Sequence, residues 1–522
     1  MQSPFADHFG ANYVPSDEEI ERIQSDLAAH TAELSRLDEQ IRELSQQRNK
    51  IQAFIDAHKA LISYPRRLPR DIVEAIFLAC LPTSRNAAMS AQEAPLLLCR
   101  ICSAWRTIAL STPRLWASLH IPVDFVLAKP SRTPAVQQWM QRAAACPMSL
   151  SVLDAAWGGV VAESKYKAIG ALTKTIATYS AGWHRVELTN VSSSMIQDLV
   201  ETRSAPSDLE SFKSTGDLFW HPELELLKGP SLRSVSLDTT VDLNLVMSFL
   251  TNQVAWHQLT HLTLEHTTSP DRFISLDNMI LLLRRCSALV SFHVTPEASE
   301  LSGALVNPPS SAVLRSLETF IIPAYRFMPS RSVKYVLDTL SMPQLRRLGV
   351  CLADAGDEPH GLSLACLGQR LSILEDITVY LNFIQSHSLL ETLQSFPALV
   401  RLVILGHVWT GHFETTGTAQ VLEVLTDTSV CPRLQELELE GSMIFSKTTL
   451  DAFLQARVQV ESSLRLQRLS VAFHAPPNDP GIPLLSSTEI QCYLSQGLNI
   501  SLVFPHPEPS PGAWTGISRD YI

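Results

Sequence analysis

The chain has 522 residues, too many for one compact domain, and two to four units are expected. With 45% hydrophobic and 18% charged residues, wholesale disorder is excluded. The net charge of −11 carries no long basic run, which argues against nucleic acid as a ligand because phosphate binding needs clustered Lys and Arg.

Nine cysteines at irregular spacing do not form a disulfide framework. The N-terminal stretch has neither the basic nor the apolar region of a secretory signal. No apolar run approaches the roughly 18–20 residues of a membrane span. The expected setting is therefore reduced and soluble, cytoplasmic and/or nuclear, with no membrane partner.

Residues 1–15 read as a disordered tail. Ser16 or Asp17 is placed to cap a helix, with Glu18 and Glu19 in its first turn. From Ile20 the apolar positions Ile23, Leu27, Leu34, Leu37, Ile41, Leu44, Ile51, Ile55 and Ile62 keep one heptad register, which predicts a coiled-coil helix over 16–62. At about 45 residues it would be roughly 65 Å long. His30, Arg48 and His58 interrupt the seam, so self-association should be weak. A zipper with a partner and a helix folded back on its own chain both remain open at this point.

Residues 63–122 form a small all-α stretch. Leu68-Pro69 opens a short amphipathic helix carrying Ile72, Val73, Ile76 and Phe77, since proline suits a helix start. A polar linker from Thr83 to Ala94 leads to a second helix with Leu97, Leu98, Ile101, Trp105 and Ile108. The stretch closes on Leu115-Trp116 after a break at Pro113. Fifty residues are near the lower limit for an independent core, so surplus apolar surface points to a partner. This pattern resembles the F-box, with Ile101-Cys102-Ser103-Ala104-Trp105-Arg106 standing for its valine-cysteine-arginine-x-tryptophan-arginine block. The linker is longer than most members carry, so a loop there would project or splay the two halves. The resemblance implies docking onto a Skp-type adaptor, and through it a cullin, by Leu68, Pro69, Ile72, Ile76, Phe77, Leu97, Ile101, Trp105, Leu115 and Trp116. Cys99 and Cys102 form a lone pair without a second ligand pair and read as buried structural cysteines, small hydrophobes inside an apolar helix.

Over 123–475 one phrase recurs: an apolar residue, two of any kind, an apolar, one of any kind, an apolar. Leu232-Val235-Leu237, Leu259-Leu262-Leu264 and Leu399-Leu402-Ile404 are examples. Starts at 232, 259, 289, 317, 345, 374 and 399 are 27, 30, 28, 28, 29 and 25 residues apart, the mark of a solenoid. The phrase resembles the leucine-rich repeat, although the asparagine or cysteine that usually follows it is missing. The fold class expected is thus multidomain α and α/β: a coiled-coil helix, an F-box-like domain, and a leucine-rich-repeat-like α/β solenoid. Residues 476–522, rich in Pro and Ser, read as an end cap and tail.

In each repeat the residues flanking the middle apolar position should lie on a concave face and meet a protein target. They are Ser234 and Ser236, His261 and Thr263, Ser291 and His293, Arg347 and Gly349, Arg401 and Val403, Glu436 and Glu438, and Arg468 and Ser470. Their mixed charges suit a protein better than a nucleic acid, and charge reversal at Arg347 and Arg401 is expected to spare folding. The motifs of phosphate loops, dinucleotide folds, zinc proteases, nucleophile elbows and kinases are absent, so no catalytic residue, metal or cofactor is assigned. His257, His261 and His266 cluster in sequence but are not expected to converge on one ion. The function expected is that of a substrate-recognition subunit of a Skp–cullin–F-box ubiquitin ligase, itself not an enzyme. The alternatives are a coiled-coil scaffold without a ligase role and, further off, a hydrolase on an α/β domain.

Overall fold

The computed structural model describes residues 4–62, 64–154, 163–191, 208–216, 225–238, 254–265, 274–295, 312–322, 330–353, 370–382, 393–406, 416–441, 447–458, 465–473 and 488–503. Positions 195, 199, 242–244, 247, 368, 390 and 391 complete the set. His266, Ser192 of the glycosylation-like string Asn190-Val191-Ser192, Leu389 at the start of the helical segment expected at 389–393, and the Pro/Ser-rich stretches 474–487 and 504–522 lie outside the described residues. The chain divides into two compact units, Met1–Ile76 and Phe77–Ile522.

The first unit is dominated by a 45-residue helix, Asp17–Leu61. Ser16 and Glu19 close a reciprocal capping box: Ser16 Oγ accepts from Glu19 N, and Glu19 Oε2 accepts from Ser16 N at 2.8 Å. Asp17, Glu18 and Glu19 sit at the positive end of the helix dipole, His58 and Lys59 at the negative end. Residues read as a disordered tail include a short turn at Ala6–His8, and the Tyr13 hydroxyl bonds Glu19 at 2.9 Å.

Among the described residues the second unit is built on one 14-stranded, all-parallel sheet whose strands follow one another in chain order. Each copy of the phrase makes one short strand because alternate side chains point to opposite faces. The three apolar residues go inward; Leu232, Val235 and Leu237 are buried, as are Leu399, Leu402 and Ile404. Strands Ser234–Asp238, His261–Glu265 and Ser291–Val294 pair in strict register, Val235 beside Leu262 and Leu262 beside Phe292. The connections carry helices such as Leu276–Leu283, capped by Ser275, and Lys447–Val458. This is an α/β repeat architecture in which each repeat leans on its neighbours.

The sheet is longer at both ends than the sequence suggested. Its first strand is Ser118–Pro122, so the boundary placed at 122 moves ahead of that strand, and its last is Asn499–Val503, beyond the end placed at 475. Trp116-Leu119-Ile121 is itself a copy of the phrase, with Trp116 as its buried leading residue. Two further strands were overlooked for physical reasons: Met148–Leu153 has Pro147 in the leading place, and Ser211–Thr215 has buried Ser214 in the last apolar place.

The linker expected to project does the opposite. His120 N donates to Ala87 O at 2.8 Å, and Ala88 bridges His120, so the linker covers the edge of the first strand. Arg85 and Glu93 hold it at 2.7 Å, and Glu93 also accepts from Ala88 N at 2.6 Å.

Candidate functional site

The helix Arg70–Ala79 carries the first stretch of the expected adaptor surface. Leu68, Ile72 and Ile76 recur every four residues and are 38%, 45% and 40% exposed. Pro69 is exposed as well. These side chains form one apolar stripe open to solvent.

In the second unit Leu97 and Ile101 are exposed, again four apart. The second helix is broken: Leu98–Ile101 and Ser103–Leu110 are separated by extended Cys102, whose Sγ accepts from Trp105 N at 3.4 Å. Cys102 is thus a cap rather than a residue inside a helix, and both it and Cys99 are half-buried rather than buried. Half-buried Trp105 meets the Phe77 ring edge-on at 4.9 Å.

Three expected adaptor contacts lie elsewhere. Phe77, Leu115 and Trp116 are fully buried and belong to the core. Trp116 Nε1 donates to Ala109 O at 2.9 Å, and its ring packs edge-on against Trp139 at 4.8 Å. A residue that starts the repeat sheet has its apolar surface already used.

On the sheet face opposite the core, strand pairing lines up the expected target residues in rows. One row reads Ser234, His261, Ser291, Thr319, Arg347, Asp376, Arg401, Glu436 and Arg468 across successive strands. The next reads Ser236, Thr263, His293, Ile321, Gly349, Thr378, Val403, Glu438 and Ser470. Ser234, Ser236, Thr263, His293, Arg401, Glu436 and Glu438 are partly exposed, and His261, Arg347 and Arg468 are exposed. Gly349, Val403 and Ser470 lie on this face as expected but are buried rather than open to a target. At Gly349 the cover is Ile321, whose Cγ2 would stand 2.9 Å from an added Cβ.

From Arg347 to Arg468 the first row alternates in charge, and from Arg347 to Glu436 the charges are paired. Asp376 Oδ2 receives Arg347 Nε at 2.9 Å and Arg401 Nη1 at 3.3 Å, while Arg401 Nη2 reaches Glu438 at 2.8 Å. Burial opposes the Arg401 charge, but Glu438 and Asp376 outweigh it and hold the guanidinium above its ordinary range. The Asp376 side chain is only 9% exposed. Asp376 is not among the expected target residues, although Leu374-Glu375-Asp376-Ile377 puts it in the same place in the phrase as Arg347 and Arg401. Nearer the N-terminal end of the sheet, Lys213 pairs with Glu187 at 2.6 Å and His184 with Glu210 at 2.8 Å. At the strand ends, burial and the neighbouring Asp238 raise the Glu265 carboxyl, with Lys213 opposing.

His293 sits at the centre of this face. Burial, then Arg347 and His261, lower its pKa from the ordinary 6.5. The unfolded chain therefore binds this proton more tightly than the folded one. The contribution of neutral His293 to stability is whole above the unfolded value, erodes as pH falls below it, and is gone once pH has passed through the folded value. His293→Gln is expected to flatten that limb of the stability profile, read as Tm from about pH 8 to about pH 5. An unchanged acid limb would show that other groups govern it.

Among the described residues no group of three or more His, Cys, Asp or Glu side chains is placed to hold a metal, and no helix is long and apolar enough to cross a membrane.

The fold defines the described part of the second unit as an α/β repeat protein built on one parallel sheet. No protein-family model matches the chain, and no curated protein does. Among solved structures it is similar to a crystal structure of a TLR13–ssRNA13 complex, with 14% identity and a TM-score of 0.32. That match covers 63% of this chain and 44% of the other.

Proposed function

We propose that this chain is an F-box-type substrate receptor. The stretch from residue 63 to the start of the sheet at Ser118 docks a Skp-type adaptor and through it a cullin, and the exposed face of the repeat sheet holds a protein target. The chain itself catalyses nothing; it contributes proximity and orientation to a ubiquitin ligase. The observation that carries the reading is the solvent-open stripe Leu68, Ile72 and Ile76, in a stretch that resembles the F-box along its length. Exposed aliphatic residues at regular helical spacing have no folding role, and a partner that buries them accounts for their presence. Leu97 and Ile101 supply a second exposed pair, and Trp105 a half-buried aromatic anchor.

The test is co-purification. Ile72→Glu with Ile76→Glu is expected to abolish capture of the adaptor, since losing a central apolar anchor typically costs about 2–4 kcal/mol of binding. Because both residues are exposed, Tm should stay within about 2 °C of the parent. Changing Leu68 and Pro69 together to Ala should act in the same direction. Adaptor capture that survives both variants, or that never occurs with the parent chain, overturns the reading and leaves the scaffold alternative.

A further inference from the structure

The helix Asp17–Leu61 leaves its seam open: Ile20, Leu27, Leu34, Leu37, Ile41 and Leu44 are 37–63% exposed. The occupant of that seam is constrained by charge. Residues 17–40 carry eight Asp and Glu against Arg22 and Arg36, a net −6. Residues 41–62 carry Arg42, Arg48, Lys50 and Lys59 against Glu43 and Asp56, a net +2. The helix is thus acidic in its first half and basic in its second.

We infer that the seam is covered by a second copy of this chain, running antiparallel. A parallel, in-register pair would lay the acidic half on an acidic half. It would also stack the seam residue Arg48 on Arg48 and bring Glu33 against Asp38 across the flank, all like-charge contacts. Reversing one helix sets the acidic half of each copy against the basic half of the other and opposes the two helix dipoles. The heptads allow this at full overlap: Ile23 faces Ile55 of the second copy, Leu27 faces Ile51, Leu34 faces Leu44, and Leu37 faces Ile41. In the same register Arg48 faces His30, an imidazole flanked by acidic sequence, instead of a second guanidinium. Arg48 has no carboxylate partner among the described residues, whereas Arg36 and Arg42 are already paired with Glu33 and Glu39 on their own helix. Two charged layers keep the pair modest in strength, in line with the interrupted seam.

The inference is independent of adaptor docking and is tested on the full-length protein. Sedimentation is expected to show a dimer with a dissociation constant in roughly the micromolar range. Glu33→Lys separates the two orientations by sign. It relieves the Glu33–Asp38 contact of a parallel pair and strengthens it, but adds a cation facing the basic half of an antiparallel pair and weakens it, by roughly tenfold. Mixing Leu34→Cys with Leu44→Cys protein and adding a short bis-maleimide should give the 34–44 linkage, located by peptide mapping apart from the native cysteines. A 34–34 linkage, tighter dimerisation of Glu33→Lys, or a monomer at about 100 µM would each overturn the antiparallel dimer.

Discussion

Replacing Arg457 by Ala is expected to destabilise the C-terminal repeats by about 3–5 kcal/mol, because several buried carbonyls would lose a charged hydrogen-bond donor at once. Arg457 lies on the helix Lys447–Val458 and is only 1% exposed. Its guanidinium is spent on backbone carbonyls: Nε donates to Leu425 at 2.6 Å, Nη1 to Cys431 at 3.0 Å, and Nη2 to Val430 at 2.6 Å and Asp427 at 3.0 Å. These carbonyls belong to the last turn of the helix Thr416–Thr426 and the loop after it, where a helix has no internal donors left to offer. Burial lowers the Arg457 pKa, with the neighbouring Cys431 and Asp427 opposing it, and a guanidinium starts so far above neutrality that it keeps its charge. The same burial pushes the adjoining Cys431 thiol up to about 12.

Because each repeat contacts only its neighbours, the damage should stay local. Hydrogen exchange should show lost protection over 416–473 while strands from Ser118–Pro122 to Ser291–Val294 keep theirs. Arg457→Lys should recover only part of the loss, since one ammonium cannot span four carbonyls set for a planar fork. Uniform loss of protection along the sheet would mean that the solenoid unfolds as one unit.

Much of the repeat fold was legible because the phrase spells out its own physics. Three inward apolar residues at fixed offsets predict a strand, and a near-constant period predicts that strands stack in order. Strands departing from the phrase were missed where a proline or a buried serine replaced the apolar residue, as at Pro147 and Ser214. Leu115-Trp116 shows a different limit: one short string fits two patterns, and only its burial assigns it to the sheet. Arg457 was legible in principle. It follows Leu450, Phe453 and Leu454 at helical spacing, so a charge on the apolar stripe was visible, but nothing in the sequence says that loop carbonyls await it.

The exposed face is legible in the sequence only as a row of mixed charges, and pairing changes what Arg401 can tolerate. Arg401→Glu is expected to cost about 2–4 kcal/mol rather than to spare folding. The side chain is 36% exposed, and its head lies among Asp376, Glu436 and Glu438, at 3.3, 3.5 and 2.8 Å. Reversal would set a fourth carboxylate beside these three and leave nearly buried Asp376 with Arg347 alone. Arg347→Glu should cost less, because Arg347 is half exposed and makes one such contact, at 2.9 Å. Denaturant titration of the two variants should therefore rank Arg401→Glu well below Arg347→Glu. Adding Glu438→Lys to Arg401→Glu should return part of the loss by restoring an opposite-charge pair across adjacent strands. Equal stability of the two reversed variants would mean that the ladder is loose in solution. If the ranking holds, Arg347 and Arg468 are the positions at which to probe target capture, since their charges can be reversed with the strands beneath them intact.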